Sequence, residues 1–314
     1  MEKMQNNNEI NIHNVQSIRN LKIDYPDIYF TPEYGIACQY SDNAEWECCI
    51  YRDLMFVYLK KKYLDENNEI YYELLTPYGY SGYYFEKEET FNDFLDKFRE
   101  IKKIKKYKKE IIRQNPYVMN CAIIFQNKYS LMKQKKLYYI NLNYKKIEDY
   151  FNSCKKNNRR CIKRSIKNKL KCKITNVKTI NDNNFIIFKK IYNITMGNLN
   201  SNKYYYFNDK YYESLLNKTI YKHIKIAIIY KDDTPIASIL FFDFGDYLHY
   251  HLGGSLLEYR HLNPNNLLHY KIVEYGIINN KDKYILGGGI TNNDHLAQFK
   301  SKISNNTLEY IIYT

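Results

Sequence analysis

The sequence of 314 residues contains no long hydrophobic run. No segment approaches the roughly 18 to 20 apolar residues that are needed to cross a bilayer. The first residues, Met1 to Asn8, also lack the hydrophobic core of a signal peptide. These absences predict a cytoplasmic protein without a transmembrane segment, and they leave peripheral contact with a membrane open.

Several familiar site motifs are absent as well. The sequence has no Walker phosphate-binding loop, no Gly-x-Ser-x-Gly nucleophile elbow and no zinc-ligand spacing. The seven cysteines are odd in number and scattered, and the adjacent pair Cys48-Cys49 does not form an ordinary zinc knuckle. We therefore interpret the cysteines as reduced, mostly buried thiols, and we expect no metal site and no tightly bound cofactor.

The composition that is present belongs to a folded protein. Hydrophobic residues make up 45% and aromatic residues 17% of the chain, which predicts a substantial core and excludes global disorder. The length fits one large or two medium domains. We place the boundary near residue 135, which gives domains at 1–135 and 136–314.

Positive charge is the second conspicuous property. The formal net charge is +14, and basic residues concentrate in Lys102–Lys109 and Lys155–Lys173. Such clusters suit phosphate groups on RNA, on a nucleotide-sugar, on coenzyme A or on a membrane surface. The alternative is a solvated helix face, and a chain-wide enrichment in Lys, Asn, Ile and Tyr explains part of the charge.

The first part of the chain alternates short β-like runs with turns. Trp46–Tyr51 and Leu54–Leu59 predict a hairpin, and Tyr71–Leu75 predicts a third strand. Apolar residues at helical spacing predict one long helix over Phe91–Ile112, which ends before Pro116.

The second part predicts the order of a GNAT-like α/β unit, in which a β meander is followed by a helix, a strand and a helix. Helix signals include Asn263-Pro264 as an N-cap with proline in the first turn, and Asp294 as the cap of a short last helix. The predicted elements are a strand at Leu137–Leu142, a helix at Lys145–Asn168, strands at Ile224–Tyr230, Ile236–Phe242 and Tyr247–Leu252, a helix from Pro264, and a strand at Tyr284–Leu286.

A glycine-containing turn follows the third strand. In Thr76–Gly82 two glycines permit turn geometry and let the backbone approach a ligand, and Tyr78 and Tyr80 project beside them. The alternative is a tight turn with packed aromatic residues. Arg113, at the expected end of the long helix, complements the helix dipole or holds a phosphate or carboxylate.

The segment His249–Ser255 has the strongest chemical content. As a strand it places His249, His251 and Gly253 on one side and Tyr250 on the other. An imidazole can take a proton from an attacking amine at neutral pH, whereas a structural histidine is the alternative. The amides at Gly253 and Gly254 are candidates for an oxyanion hole.

Other candidates lie on the basic helix and near the carboxyl end. Arg160 and Lys163 form a phosphate clamp if they line a groove, and a lysine-rich surface helix otherwise. Three glycines in Leu286–Gly289 expose backbone amides, and Asp294 caps the next helix or orients a substrate amine.

Taken in order, five motifs resemble the acyltransferase group that contains the Fem peptidyltransferases and their relatives in surface-polysaccharide pathways. The resemblance covers roughly residues 25 to 305 and implies an α/β fold of tandem GNAT-like units, with mixed, mostly antiparallel sheets flanked by helices. Ser81 and Tyr83 depart from the family's turn, and Asn198 stands where the family has Arg. The motifs are Thr76–Tyr80, Ile112–Pro116, Asn157–Lys163, His249–Gly254 and Leu286–Gly289.

The resemblance implies an N-acyltransferase without a covalent intermediate. The donor is acyl-CoA in the first hypothesis, and the acceptor is an amino group of a cell-envelope saccharide or its nucleotide-linked precursor. Two alternatives are a tRNA-dependent aminoacyltransferase that extends a peptidoglycan peptide, and a non-catalytic basic RNA-binding protein on a degenerate transferase fold. Tyr259–Asn266 lacks the glycine-bearing pyrophosphate loop of acetyl-CoA enzymes.

The site residues come from these motifs, from Lys203–Phe207, which also resembles the family, and from Asp294 and Phe299-Lys300, which resemble the rest of the family's carboxyl-terminal signature. We expect His251, His249 and Lys163 to be catalytic, and the substrate to be bound by Tyr78, Tyr80, Arg113, Arg160, Tyr205, Gly253, Gly254, Gly288, Asp294 and Lys300.

Overall fold

The computed structural model describes residues 8–119, 124–125, 128–217, 219–304 and 306–314. The chain forms two compact units. The first consists of Met1–Gln134 with Glu309–Thr314, and the second of Lys135–Leu308. Our expected boundary left the last six residues in the second domain, whereas the structure places them in the first unit, because Ile312 and Tyr313 pair with Arg113 and Ile112. Within the described residues, no helix has the length and apolar character that spanning a membrane requires.

The helices and strands are numbered in chain order. They are β1 Asn11–His13, α1 Val15–Ile18, α2 Pro32–Asp42, β2 Glu45–Tyr51, β3 Leu54–Leu64, β4 Ile70–Leu75, β5 Gly82–Tyr84, α3 Glu88–Ile104, β6 Tyr107–Arg113, β7 Leu131–Asn141, α4 Ile147–Ser153, α5 Lys156–Lys167, β8 Lys171–Asn176, α6 Asn183–Asn198, α7 Asp209–Leu215, β9 Ile224–Lys231, β10 Thr234–Phe244, β11 Tyr247–Ser255, α8 Pro264–Ile278, β12 Lys283–Gly287, α9 His295–Ile303 and β13 Asn306–Tyr313.

In the first unit the strands follow the order β1-β2-β3-β4-β6-β13, with β5 paired to β3. The predicted hairpin is confirmed as β2 and β3, and the third strand as β4. Neighbours are antiparallel except for β4 and β6, which run parallel. Phe91, Phe94 and Phe98 of α3 are buried in an aromatic core against this sheet, as their helical spacing indicates.

The prediction of a single helix over Phe91–Ile112 is wrong in its second half. Helix α3 ends at Ile104, and Lys106 has a left-handed φ of 55° that turns the chain into strand β6. The parallel pairing with β4 is a contact distant in sequence, and it overrides the local helical pattern. Arg113 therefore ends a strand, and the helix-dipole interpretation no longer applies to it.

In the second unit the order is β7-β12-β11-β10-β9-β8. All neighbours are antiparallel except β11 and β12. Helix α8 packs on one face of this sheet and α6 on the other. The predicted order of meander, helix, strand and helix is confirmed by β9-β10-β11, α8, β12 and α9.

The expected helix over Lys145–Asn168 is two helices. The chain is extended at Cys154 and Lys155, with ψ values of 149° and 144°, so that α4 and α5 are separate. The guanidinium of Arg159 donates to the carbonyl oxygens of Asn152 and Cys154 and holds this corner. Neither glycine nor proline marks the break in the sequence.

The described cysteines are free thiols. Those at 38, 48, 49 and 154 are buried and those at 161 and 172 are half-buried, whereas Cys121 lies outside the described residues. Burial raises the pKa of the Cys48 and Cys49 thiols, so both stay protonated at neutral pH.

Candidate functional site

A gap between strands β11 and β12 organises the candidate site in the second unit. Their parallel pairing runs from Tyr247 and Lys283 to His249 and Ile285. Both strands continue beyond that point, and among the described residues no backbone pairing joins them there. A gap of this kind exposes backbone groups that a ligand can use.

A β-bulge on β11 coincides with the start of the gap. Phe241 of β10 faces Tyr250 and Leu240 faces Leu252, so the bulge falls at His251. Such a bulge changes which face the following side chains occupy. Tyr250 lies on the face covered by α8, whereas His251 contacts Phe242 on the face covered by α6 and α7.

The face toward α8 and α9 contains a buried polar cluster beside the gap. The ammonium nitrogen of Lys300 donates to the Gly288 carbonyl oxygen at 2.7 Å and lies 5.1 Å from the centre of the Tyr250 ring. On α8, His269 Nδ1 is hydrogen-bonded to the Tyr284 hydroxyl at 3.0 Å. We call Tyr250, His269, Tyr284 and Lys300 the lysine cluster.

Burial sets the protonation of this cluster. Lys300 is only 4% exposed, and burial lowers the pKa of its amine to about 7, although the Asp294 carboxylate acts in the opposite direction. Burial and the positive charge of Lys300 lower the pKa of His269 to about 3. At neutral pH, His269 is therefore uncharged, and Lys300 is present in both protonation states.

The three consecutive glycines fit their surroundings closely. A Cβ atom on Gly288 would lie 2.8 Å from the Lys136 carbonyl oxygen, and one on Gly289 would lie 2.4 Å from the Asp294 carboxylate. Gly287 has a positive φ of 72°. These glycines let the loop run close to β7 and direct the Gly288 carbonyl to Lys300.

Asp294 is the N-cap of α9, as predicted. Its carboxylate accepts hydrogen bonds from the Ala297 and Thr291 amides, both at 2.8 Å. Partial burial raises the pKa of Asp294, but these backbone hydrogen bonds lower it more, so it is held below its ordinary value. The cap fixes the start of the helix that carries Lys300.

The two histidines predicted to be catalytic lie on the other face of the sheet, and both are buried. His251 Nε2 is 2.6 Å from the Tyr211 hydroxyl, and its ring lies 4.4 Å from that of Phe242. Burial lowers the pKa of His251 to about 3. His249 is 1% exposed. The structure thus places both imidazoles in a packed aromatic environment.

Gly253 and Gly254 have different neighbours. A Cβ on Gly254 would lie 2.2 Å from the Thr195 hydroxyl of α6, so this glycine allows the helix to approach the strand. A Cβ on Gly253 would lie 3.1 Å from the Tyr250 hydroxyl. Gly253 is therefore beside the lysine cluster.

The remaining predicted residues of the second unit lie elsewhere. Lys163 and Arg160 are exposed on α5, with Lys163 Nζ 5.8 Å from the centre of the Phe151 ring and Arg160 donating to Asn157 at 2.9 Å. Tyr205 is half-buried in a 3₁₀ helix.

In the first unit the structure brings Tyr78, Tyr80 and Arg113 to one turn. The Tyr80 ring meets the Tyr310 ring edge to face at 5.1 Å, and Arg113 donates to the Thr76 carbonyl oxygen at 3.3 Å. Burial raises the pKa of the Tyr310 hydroxyl, and the positive charge of Arg113 acts in the opposite direction.

The turn itself is fixed by contacts within the first unit. The Tyr34 hydroxyl donates to the Tyr78 carbonyl at 2.5 Å. Gly79 is required here, because its φ is +102° and a Cβ would lie 2.3 Å from the Tyr29 ring.

The sequence analysis did not identify His269, Tyr250 and Tyr284 as site residues. His269 follows Leu268 on the buried face of α8, and a polar residue within an apolar helix stripe is the signal that identifies it. Nothing in the sequence indicates that these side chains meet Lys300, since the contacts depend on the bulge and on α9.

The protein is an α/β protein of the tandem GNAT-like class. Three features define this class here: the strand order, the parallel strands β11 and β12 that separate, and the capped helix α9. The FemAB-like family model, described as peptidoglycan biosynthesis/recognition, matches residues 120–292. This is more than half of the sequence, and the chain belongs to the FemAB-like family. Family and fold together support a transferase.

Solved structures agree with this fold. FemX matches with a TM-score of 0.66 at 13% identity, over 100% of this chain and 97% of FemX. The C-terminal domain of a putative lysylphosphatidylglycerol synthetase from Agrobacterium fabrum matches with a TM-score of 0.58 at 11% identity, over 95% and 91% of the two chains. A tandem GNAT protein from the clavulanic acid biosynthesis pathway matches with a TM-score of 0.50 at 7% identity, over 97% and 98%. No curated protein matches the chain.

Proposed function

We propose that the protein is an N-acyltransferase that modifies an amino group of a cell-envelope precursor, with its reaction centre at the gap between β11 and β12. The family description, which names peptidoglycan, supports the envelope, and the GNAT-like fold supports acyl transfer. The observation that carries the proposal is Lys300, a buried amine beside the gap whose pKa is close to 7.

Lys300 has the properties of a proton acceptor for this reaction. When the acceptor amine attacks the acyl carbonyl carbon, a C–N bond forms and the amine nitrogen must lose a proton. A neutral lysine amine can take that proton, and the Gly288 carbonyl and the Tyr250 ring are placed to stabilise the resulting ammonium. The proton then passes to the leaving group as its bond to the acyl carbon breaks.

His251 is less suited to this role. An imidazole with a pKa of about 3 is a weak base at neutral pH, and the Tyr211 hydroxyl occupies His251 Nε2. We propose that His251 positions strand β11 and that Lys300 transfers the proton. The amides near Gly253 stay our candidates for the oxyanion hole.

We give aminoacyl-tRNA equal weight with acyl-CoA as the donor, because of the contacts that the segment before α8 makes. The Ser165 hydroxyl of α5 lies within hydrogen-bonding distance of the carbonyl oxygens of Leu262 and Asn263, at 2.9 and 3.0 Å, and the side-chain amide of Asn266 donates to the side-chain oxygen of Asn158. A 3₁₀ helix at Leu257–Leu262 takes the place of a glycine-rich loop. The segment that holds a pyrophosphate in acetyl-CoA enzymes is therefore engaged with α5.

One experiment tests both the activity and the donor. Purified protein is incubated with a nucleotide-linked saccharide or peptide precursor that has a free amine, together with either charged tRNA or labelled acyl-CoA. Product that disappears after ribonuclease treatment identifies the tRNA donor, and product from acyl-CoA identifies the thioester. Absence of product with every donor, together with tight, salt-sensitive RNA binding, supports the non-catalytic RNA-binding alternative instead.

A further inference from the structure

Helix α5 presents a face of cations without carboxylates. It contains six basic and no acidic residues, and five of them are exposed. At 100° per residue these five fall on one side, opposite the buried Asn158, Ile162 and Ser165. We call them the α5 ridge: Lys156, Arg160, Lys163, Arg164 and Lys167.

The ridge is not neutralised by its neighbours. Among the described residues, no carboxylate forms an ion pair with a ridge cation. Helix α3 differs, because it contains carboxylates and its cations pair with them, as in Arg99–Asp96 and Lys103–Glu100. The charge of α5 is therefore available to an external partner, whereas that of α3 is largely compensated.

The ridge is held in place by its buried side. Ser165 bonds to the segment before α8, Asn158 bonds to Asn266, and the ammonium of Lys155 donates to the Ser301 carbonyl oxygen of α9 at 2.6 Å. Twelve helical residues make a straight row of about 18 Å. Such a row presents several cations at once to a flat anionic surface.

Exposed aliphatic side chains accompany the cations. Ile166 on α5 is 54% exposed, and Leu257 and Leu296 are 44% and 42% exposed on the 3₁₀ helix and on α9, which both contact α5. Glu258 is the acidic residue of that 3₁₀ helix. Exposed aliphatic groups beside lysine and arginine are typical of protein surfaces that enter the headgroup region of a bilayer.

We propose that the α5 ridge docks on the headgroups of an anionic phospholipid membrane, with the aliphatic side chain of Ile166 entering the interface. Phosphate headgroups complement the uncompensated cations, and each Lys or Arg near such a surface raises the affinity about fivefold. RNA is the competing anion, but binding to single strands relies on stacking of bases on aromatic side chains, and none of the five ridge residues is aromatic. This inference is independent of the proposed activity.

Sedimentation with vesicles tests the docking surface. We expect the protein to bind vesicles that contain phosphatidylglycerol and not vesicles of phosphatidylcholine alone, with an affinity that falls as salt is added. The combined change Arg160→Gln, Lys163→Gln, Arg164→Gln and Lys167→Gln should lower the affinity at least about 100-fold. The matched control, Lys97→Gln, Arg99→Gln, Lys103→Gln and Lys105→Gln, removes the same charge and should have little effect.

The Ile166→Ser change isolates the apolar contribution. It should weaken vesicle binding several-fold without altering the salt dependence, because it removes no charge. Equal loss of binding in the α3 control would show a non-specific effect of net charge and overturn the inference. Binding to RNA without binding to anionic vesicles would assign the ridge to RNA. Since vesicle binding requires no substrate, these results do not depend on whether the transferase reaction is found.

Discussion

At the scale of single residues, a lysine amine in a protein core needs an explanation. Burying an uncompensated charge is costly, and the group responds by lowering its pKa. Lys300 donates to a carbonyl oxygen and, within the described part of the chain, forms no ion pair with a carboxylate, so its ammonium form is only partly compensated. A buried amine that exchanges its proton near neutral pH is an unusual and costly feature, which is typical of functional sites.

Replacing this amine should abolish proton transfer and spare the fold. Lys300→Met keeps most of the aliphatic volume, and we expect kcat to fall about 100- to 10,000-fold, the usual contribution of a general base. Lys302→Met, an exposed position on the same helix, is the control and should retain its activity. Rates measured under saturating substrate decide the question, and a Lys300→Met enzyme with normal kcat removes Lys300 from the mechanism.

The pH profile provides a second readout of the same residue. Because the proton acceptor must be neutral in the free enzyme, kcat/KM should rise with pH and level off above about 7. The substrate amine adds its own ionisation, but only the inflection near 7 should disappear in Lys300→Met. If the variant keeps that inflection, it belongs to another group.

Buried neutral histidines predict a pH dependence of stability. The pKa values of His251 and His269 are about 3 in the folded protein and about 6.5 in the unfolded chain. Between these values the unfolded chain binds more protons, so each histidine makes the free energy of unfolding decrease as the pH falls below 6.5. Urea titrations from pH 7 to pH 4 should show this loss, and His251→Phe should reduce its slope by up to one proton. An unchanged slope would mean that His251 is protonated in the folded state.

At the scale of elements, the sequence predicts what is local and misses what depends on distant contacts. The hairpin, β4, the meander and the cap at Asp294 follow from alternation and turn residues, and all are confirmed. The end of α3 depends on pairing between β4 and β6, and the corner between α4 and α5 depends on the hydrogen bonds of Arg159. No local sequence pattern predicts either feature. The same holds for the candidate site: Asp294 and Lys300 belong to a recognisable motif, whereas His269 joins them only through tertiary packing.

The contact between α6 and β11 supplies a test with opposite outcomes. Gly254→Ala should destabilise the fold by about 1–3 kcal/mol, because the new methyl group would overlap the Thr195 hydroxyl. Gly197→Ala, in α6 with no atom within 4 Å of the new Cβ, should stabilise it by up to about 1 kcal/mol through helix propensity. Thermal and urea unfolding measure both changes. Equal effects of the two changes would contradict the close approach at Gly254.

At the scale of the whole molecule, the two units differ at their parallel strand pairs. In the first unit, contacts continue beyond β4 and β6: the Arg113 amide donates to the Thr76 hydroxyl, and the Asn115 amide donates to the Ser81 carbonyl oxygen. In the second unit the equivalent parallel pair opens after His249 and is lined by the lysine cluster. One pair of strands is therefore closed and the other open, which supports the proposal that the reaction centre lies in the second unit.

The carboxyl-terminal strand should be essential to the first unit. Tyr313 is 2% exposed, lies 5.0 Å from the Phe125 ring and pairs with Ile112. Tyr313→Ala removes a large buried aromatic side chain, so we expect a loss of about 3–5 kcal/mol of stability. Glu309→Ala, an exposed change in the same strand, is the control and should stay within about 0.5 kcal/mol of the parent protein. Hydrogen exchange locates the effect: amides of β4 and β6 should exchange faster in Tyr313→Ala, whereas those of β9 and β10 should keep their protection. Faster exchange throughout the second unit, with β6 unaffected, would show that the last strand does not belong to the first unit.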